Sequence, residues 1–159
     1  MAQTAIALAR KGHRWIGQEI DPGEVEDLDG FADALRDLGG DIALGFVEED
    51  DEYLGIVRVD GDDDPRVFVS DRRMIDTSDL ANRLFEDVLP LSAQTEDDEE
   101  GTLPEADPAG DVELLADLGT SGDVLVELLA GEGMLPADVV SEVCERAGCL
   151  DVLDEVRGS

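Results

Sequence analysis

Between residues 42 and 71, apolar side chains recur at every second position in three short blocks separated by acidic turns, and this constrains the chain more than anything else in it. A period of two is the signature of a β-strand, because successive side chains leave the strand on opposite faces. In the first block Ile42, Leu44 and Phe46 share one face, with the smaller Ala43, Gly45 and Val47 opposite. In the second, Tyr53, Gly55, Val57 and Val59 fall on one side and Leu54, Ile56 and Arg58 on the other. The third sets Val67 and Val69 against Arg66, Phe68 and Ser70. Residues 48–52 and 60–65 connect the blocks; Asp and Gly there tolerate turn conformations, and Pro65 fixes φ and withholds a donor. The spacing predicts an antiparallel meander.

Residues 4–10 alternate Ile6 and Leu8 with Ala5, Ala7 and Ala9, which fits either a helix or a strand with one crowded face; the Lys11-Gly12 turn that follows favours the strand. Residues 15–20 return as a second strand before Asp21-Pro22-Gly23 breaks the run. Val25, Leu28, Phe31, Leu35 and Leu38 then recur at helical spacing, and Gly39-Gly40 supplies a stop. The order strand, strand, helix, strand, strand, strand predicts an α+β fold, an antiparallel sheet of about five strands packed on one side by a helix. After the meander, Asp76-Thr77-Ser78 can cap a short helix carrying Leu80, Leu84 and Phe85.

Residues 90–110 change character, with EDDEE at 96–100 and prolines at 90, 104 and 108, and read as a solvated linker. Beyond it, Val112, Leu114 and Leu115 form a turn-rich piece. Val124, Leu125, Leu128 and Leu129 follow a Thr120 or Ser121 cap in a helix that Gly131 and Gly133 end. Pro136 opens another, with Val139, Val140, Val143, Cys144 and Ala147 inward and Gly148 closing it. Three regions are expected: a sheet domain over 1–89, an acidic linker over 90–110 and a helical C-terminal subdomain over 111–159. The apolar stripe of that subdomain can pack on the sheet or serve a partner; packing is favoured, because short helices seldom survive alone.

Forty-two acids against eleven bases give a formal charge of −31, spread unevenly: residues 1–83 carry 21 acids and 9 bases, residues 84–159 carry 21 and 2. An apolar content of 42% is nevertheless enough for a folded core. Such a balance opposes direct contact with nucleic acid or an anionic membrane, since phosphate binding needs Lys and Arg to displace counterions. Basic proteins are the natural partners. No 18-residue apolar run and no basic region ahead of a long hydrophobic core is present, so a cytoplasmic location is expected.

No catalytic constellation emerges. Asp60, Asp62, Asp64 and Asp71 imitate a calcium loop at its first, third, fifth and twelfth positions, but Pro65 stands where that loop needs glycine and Asp71 replaces the bidentate Glu. Cys144 and Cys149 have no neighbouring His and read as small core residues rather than zinc ligands or a disulfide. His13, in a tight turn, has no nearby nucleophile to serve. Carboxylate pairs abound by chance, and few aromatics exist to line a sugar site. Arg58, Arg66, Arg72 and Arg73 cluster in sequence, and internal ion pairs explain them better than a bound anion.

Three stretches carry a resemblance: VEEDDEYLGIVRVDGDDDPRVFVSD, DPGEVEDLDGFADALRDLGG and LLADLGTSGDVLVELLAGEGMLPADVVSEVCERAG. With these the chain resembles a bacterial family of tRNA adenosine deaminase-associated proteins, over most of its length except the linker. The resemblance implies association with that deaminase and supplies no catalytic residues. The chain lacks the His-x-Glu and Pro-Cys-x-x-Cys arrangement of a zinc deaminase, since Arg14-Trp15 follow His13. The expectation is a noncatalytic protein without cofactor or metal that binds the basic surface of a tRNA adenosine deaminase, or another basic protein. Its contact residues are expected at the acidic turns: Glu48, Glu49, Asp50, Asp51, Glu52, Asp62, Asp63 and Asp64, with Arg66 beside them. The alternative is a domain for a small molecule or divalent metal, resting on the loop from Asp60 and its neighbouring arginines.

Overall fold

A computed structural model describes residues 3–49, 53–61, 65–71, 74–75, 77–86, 109–130 and 135–156. β1 (Gln3–Lys11) and β2 (Arg14–Ile20) form the predicted hairpin, followed by α1 (Leu28–Arg36). The meander is β3 (Ile42–Glu49), β4 (Tyr53–Asp60) and β5 (Arg66–Val69), and α2 (Asp79–Phe85) follows it. A two-residue β6 (Ala109–Gly110) leads to α3 (Gly122–Ala130), α4 (Pro136–Ala147) and α5 (Leu150–Val156). The strands lie in the order β2-β1-β3-β4-β5-β6, antiparallel throughout. The fold is α+β, with five strands of four residues or more and its helices concentrated after the sheet.

Register explains the layering. One row across the sheet reads Ile6, Phe46, Ile56, Phe68, and its neighbour reads Ala7, Gly45, Val57, Val67. Because faces alternate along a strand, the large row and the small row lie on opposite sides. The face assignments read from the alternation hold residue by residue. What the alternation did not convey was that both faces are covered. Phe31, Leu35, Leu80, Leu84 and Phe85 of α1 and α2 pack on the side of Ala5, Ala7, Ala43 and Val57. Leu114, Leu125, Val139, Val143 and Leu153 pack on the side of Ile6, Leu8, Leu44 and Phe46. The helix expected on one side is thus joined on the other by the C-terminal helices, the packing favoured for their apolar stripe; both faces of these strands are apolar, which water would penalise on either side.

Local signals set the helix ends. Asp27 Oδ1 accepts from Gly30 N at 2.8 Å and Ser78 Oγ from Ala81 N at 3.1 Å, each satisfying an otherwise orphaned amide of the first turn. Gly148 ends α4 with φ of 90°, where the Cys149 amide returns to the Cys144 carbonyl at 2.8 Å. The chain resumes as α5, which the sequence reading did not anticipate; Leu150, Val152, Leu153 and Val156 span too few turns to display a period. Of the linker expected at 90–110, residues 109–110 form β6, and residues 90–108 fall outside the described part.

Candidate interaction surface

Arg58 shows first what the scarce bases do. It is 2% exposed on the face that meets the C-terminal helices. Its Nε donates to Asp60 Oδ1 at 2.6 Å, Nη1 to the Leu114 carbonyl and Asp117 Oδ1, both at 2.6 Å, and Nη2 to Asp117 Oδ2 at 3.0 Å and Asp60 Oδ2 at 3.2 Å. All five guanidinium N–H groups are thereby occupied, which leaves none for a ligand. The bidentate pair holds the Asp117 carboxyl below the usual carboxylate range and fastens the 112–118 segment to β4. Arg66, with a side chain 41% exposed, reaches Asp111 at 3.3 Å and Asp60 at 4.0 Å. Arg72 and Arg73 fall outside the described residues.

Glu49 corrects an expectation. The sequence placed it in an exposed turn, but it ends β3 at 3% exposure and faces inward. It accepts from Gln3 Nε2 at 2.6 Å and from the Ser78 hydroxyl, the oxygen that also caps α2. Burial, and then the nearby Glu49 carboxylate, hold the Tyr53 phenol protonated well above the ordinary tyrosine range. Glu49 therefore ties β1, β3 and α2 together and presents nothing to a partner. Glu48 is half-buried; Asp50, Asp51, Glu52, Asp62, Asp63 and Asp64 fall outside the described residues.

The remaining candidates resolve into structure. Cys144 and Cys149 are both buried and form no disulfide, and they occupy the two positions of the α4 terminus that ordinarily share an apolar contact. A bond from the Cys144 thiol draws the Cys149 thiol below its ordinary pKa. His13 is exposed in the β1–β2 turn. Of the calcium-like set, Asp60 is engaged by Arg58 and Asp71 is 9% exposed. Among the described residues no three His, Cys, Asp or Glu side chains are placed to hold one metal ion.

Outside the core, the structure displays acids that the sequence reading counted without placing. Residues 21–41 hold eight acids and one base, Arg36, and all eight acids are exposed. Asp29, Asp33 and Asp37 follow one another at four-residue spacing along the outer side of α1, opposite Phe31 and Leu35. That spacing was visible in the sequence. On the C-terminal layer Glu113, Asp117, Asp123, Glu127, Asp138, Glu145, Asp151, Asp154 and Glu155 are exposed, with Arg146 as the only base in 111–156 among the described residues. Carboxylates displayed this way raise a negative potential several kT deep that attracts basic molecules from a distance.

The fold and these surfaces define a small α+β domain with an antiparallel sheet between two helical layers and anionic outer faces. The chain belongs to the Rv3753c-like tRNA adenosine deaminase-associated protein family, whose model matches residues 3–150. No curated protein and no solved structure matches it. No described helix is long and apolar enough to cross a membrane.

Proposed function

We propose that this chain is a noncatalytic, acidic, cytoplasmic protein that binds a tRNA adenosine deaminase and modulates its access to substrate. The reading rests on family membership together with one observation: every acid of the 21–41 segment is exposed and only one base lies among them. A protein that grips tRNA needs a basic surface to neutralise phosphates, and that surface is attractive to a chain of net charge −31. The helical acids, with Glu48 near the end of β3, Asp50, Asp51, Glu52, Asp62, Asp63 and Asp64 of the expected turns and Arg66 beside them, would compete with tRNA for it. Glu49 is left out because it is buried.

Co-elution of the purified chain with the deaminase of the same source, at low salt and with tRNA as competitor, tests this. A complex that tRNA displaces is expected. Separate elution at every salt concentration would leave the family description without a physical contact behind it.

A further inference from the structure

The two edges of the sheet are treated differently. β5 is covered by β6, with Phe68 opposite Gly110. At the other end β2 runs for seven residues, and among the described residues no strand pairs with its outer side. An uncovered edge offers its backbone N–H and C=O groups to any chain that aligns with it, and natural sheets blunt such edges with lysine, proline, a bulge or a covering element. β2 reads RWIGQEI, without lysine or proline, and pairs with β1 in unbroken register from Arg14 to Ile20. α5 packs against it so closely that a Cβ on Gly17 would lie 2.6 Å from Val156 Cγ2 and 2.9 Å from Val152 Cγ1.

Along this edge runs an open groove of about 500 Å³. On the α5 side its apolar lining comes from Trp15, Val152 and Val156 and its carboxylates from Glu19 and Glu155, while Ile16 leaves the strand toward the opposite face. Ile16 is 39% exposed, one of three large apolar side chains so displayed among the described residues. The one cation in the lining, Arg14, stands at the turn end of β2, away from Glu19. An extended peptide suits such a site: its backbone continues the sheet, and alternate side chains enter the groove.

We propose that the β2 edge takes up an extended basic segment of a partner protein as an additional strand, its alternate side chains lying against Val152 and Val156 on one face of the sheet and against Ile16 on the other, with Lys or Arg against Glu19 and Glu155. Charge selects this occupant. A second copy would bring another net charge of −31 to the same edge, whereas a basic strand meets two carboxylates in the groove and the anionic field of both helical layers. The inference rests on the proposed association and deepens it: the helical acids steer the partner, and the strand edge holds it.

The test titrates onto the full chain a capped peptide as long as β2, of alternating lysine and valine, and its glutamate and valine counterpart, and follows amide hydrogen exchange. The lysine peptide is expected to slow exchange of β2 amides by about fivefold or more, while α1 is unchanged. Ile16→Lys, and separately Glu19→Lys with Glu155→Lys, should weaken it by about tenfold with the circular dichroism spectrum intact. Unchanged β2 exchange, equal protection by the glutamate peptide, or a dimer of the chain alone that buries β2 would overturn the proposal. The deaminase is then substituted for the peptide. If it binds and protects other segments but not β2, the edge is not its contact and the proposal falls for that partner. If it fails to bind while the lysine peptide still protects β2, the proposed association fails and the edge site stands.

Discussion

On one face of the sheet the strands present Ala5, Ala7, Ala9, Ala43, Gly45 and Gly55, and α1 and α2 fill the space with Phe31, Leu35 and Phe85. On the other face the strands themselves supply Ile6, Leu8, Leu44, Phe46, Ile56 and Phe68, and α4 meets them with Val139, Val140, Val143 and Cys144. Over β1 and the glycines of β3 and β4, bulk is carried by helices on the first side and by strands on the second, although Tyr53, Val57 and Val59 add strand bulk to the first. The fit is close enough that a Cβ on Gly45 would lie 2.6 Å from the Phe31 ring. Close packing of this kind makes one interface depend on a few large residues and the other on many moderate ones.

The largest expected effect breaks the first arrangement. Phe31→Ala should cost about 3–5 kcal/mol, because the small sheet residues beneath it cannot close the cavity, whereas Val140→Ala on the other face should cost about 2 kcal/mol. Gly45→Ala should cost about 1–3 kcal/mol by overpacking. Combined with Phe31→Leu it should cost less than the two changes added, because the two positions share one space. Urea unfolding of the set checks this, and additive costs would mean that ring and glycine do not compete for space.

Next in size is the fastening of the second layer. Arg58→Met removes the donors for Asp60, Asp117 and the Leu114 carbonyl while keeping a long apolar stem, and should cost about 2–4 kcal/mol. Amide exchange should rise first in the 112–118 segment. Uniform acceleration across the molecule would show that Arg58 does not anchor that layer in particular.

The smallest effect separates the layers by pH. The Asp117 carboxyl is depressed by Arg58. The stability it contributes is therefore fully present above the unfolded aspartate value of about 3.9 and is lost as pH falls through the lower folded value. Asp117→Asn should remove that part of the acid limb and change little at neutral pH beyond a constant offset, because the carboxylate is largely exposed. An acid limb identical to the parent's would contradict the pairing.

Much of the fold was legible because it is written in local patterns. The hairpin, the meander, the Ser78 cap and the Gly148 stop each depend on residues within a few positions of one another. The strand faces were legible too, and the C-terminal stripe was expected to pack on the sheet, but which face it covers was not legible, because alternation reports the face of a side chain and not what lies above it. The site was less legible. Glu49 looked like one of five consecutive acids, and only the folded proximity of Gln3 and Ser78 distinguishes it. Asp29, Asp33 and Asp37 could have been assigned to an outer helical stripe from spacing alone. The edge position of β2 depends on strand order, which no local pattern encodes.

The central question is whether this anionic chain meets the deaminase electrostatically. Equilibrium titration of labelled deaminase with the chain at rising salt measures this directly. Saturable binding is expected, its affinity falling steeply as salt increases, with Glu19→Lys and Glu155→Lys weakening it at low salt. Absence of binding at low salt, or an affinity indifferent to salt, would contradict it.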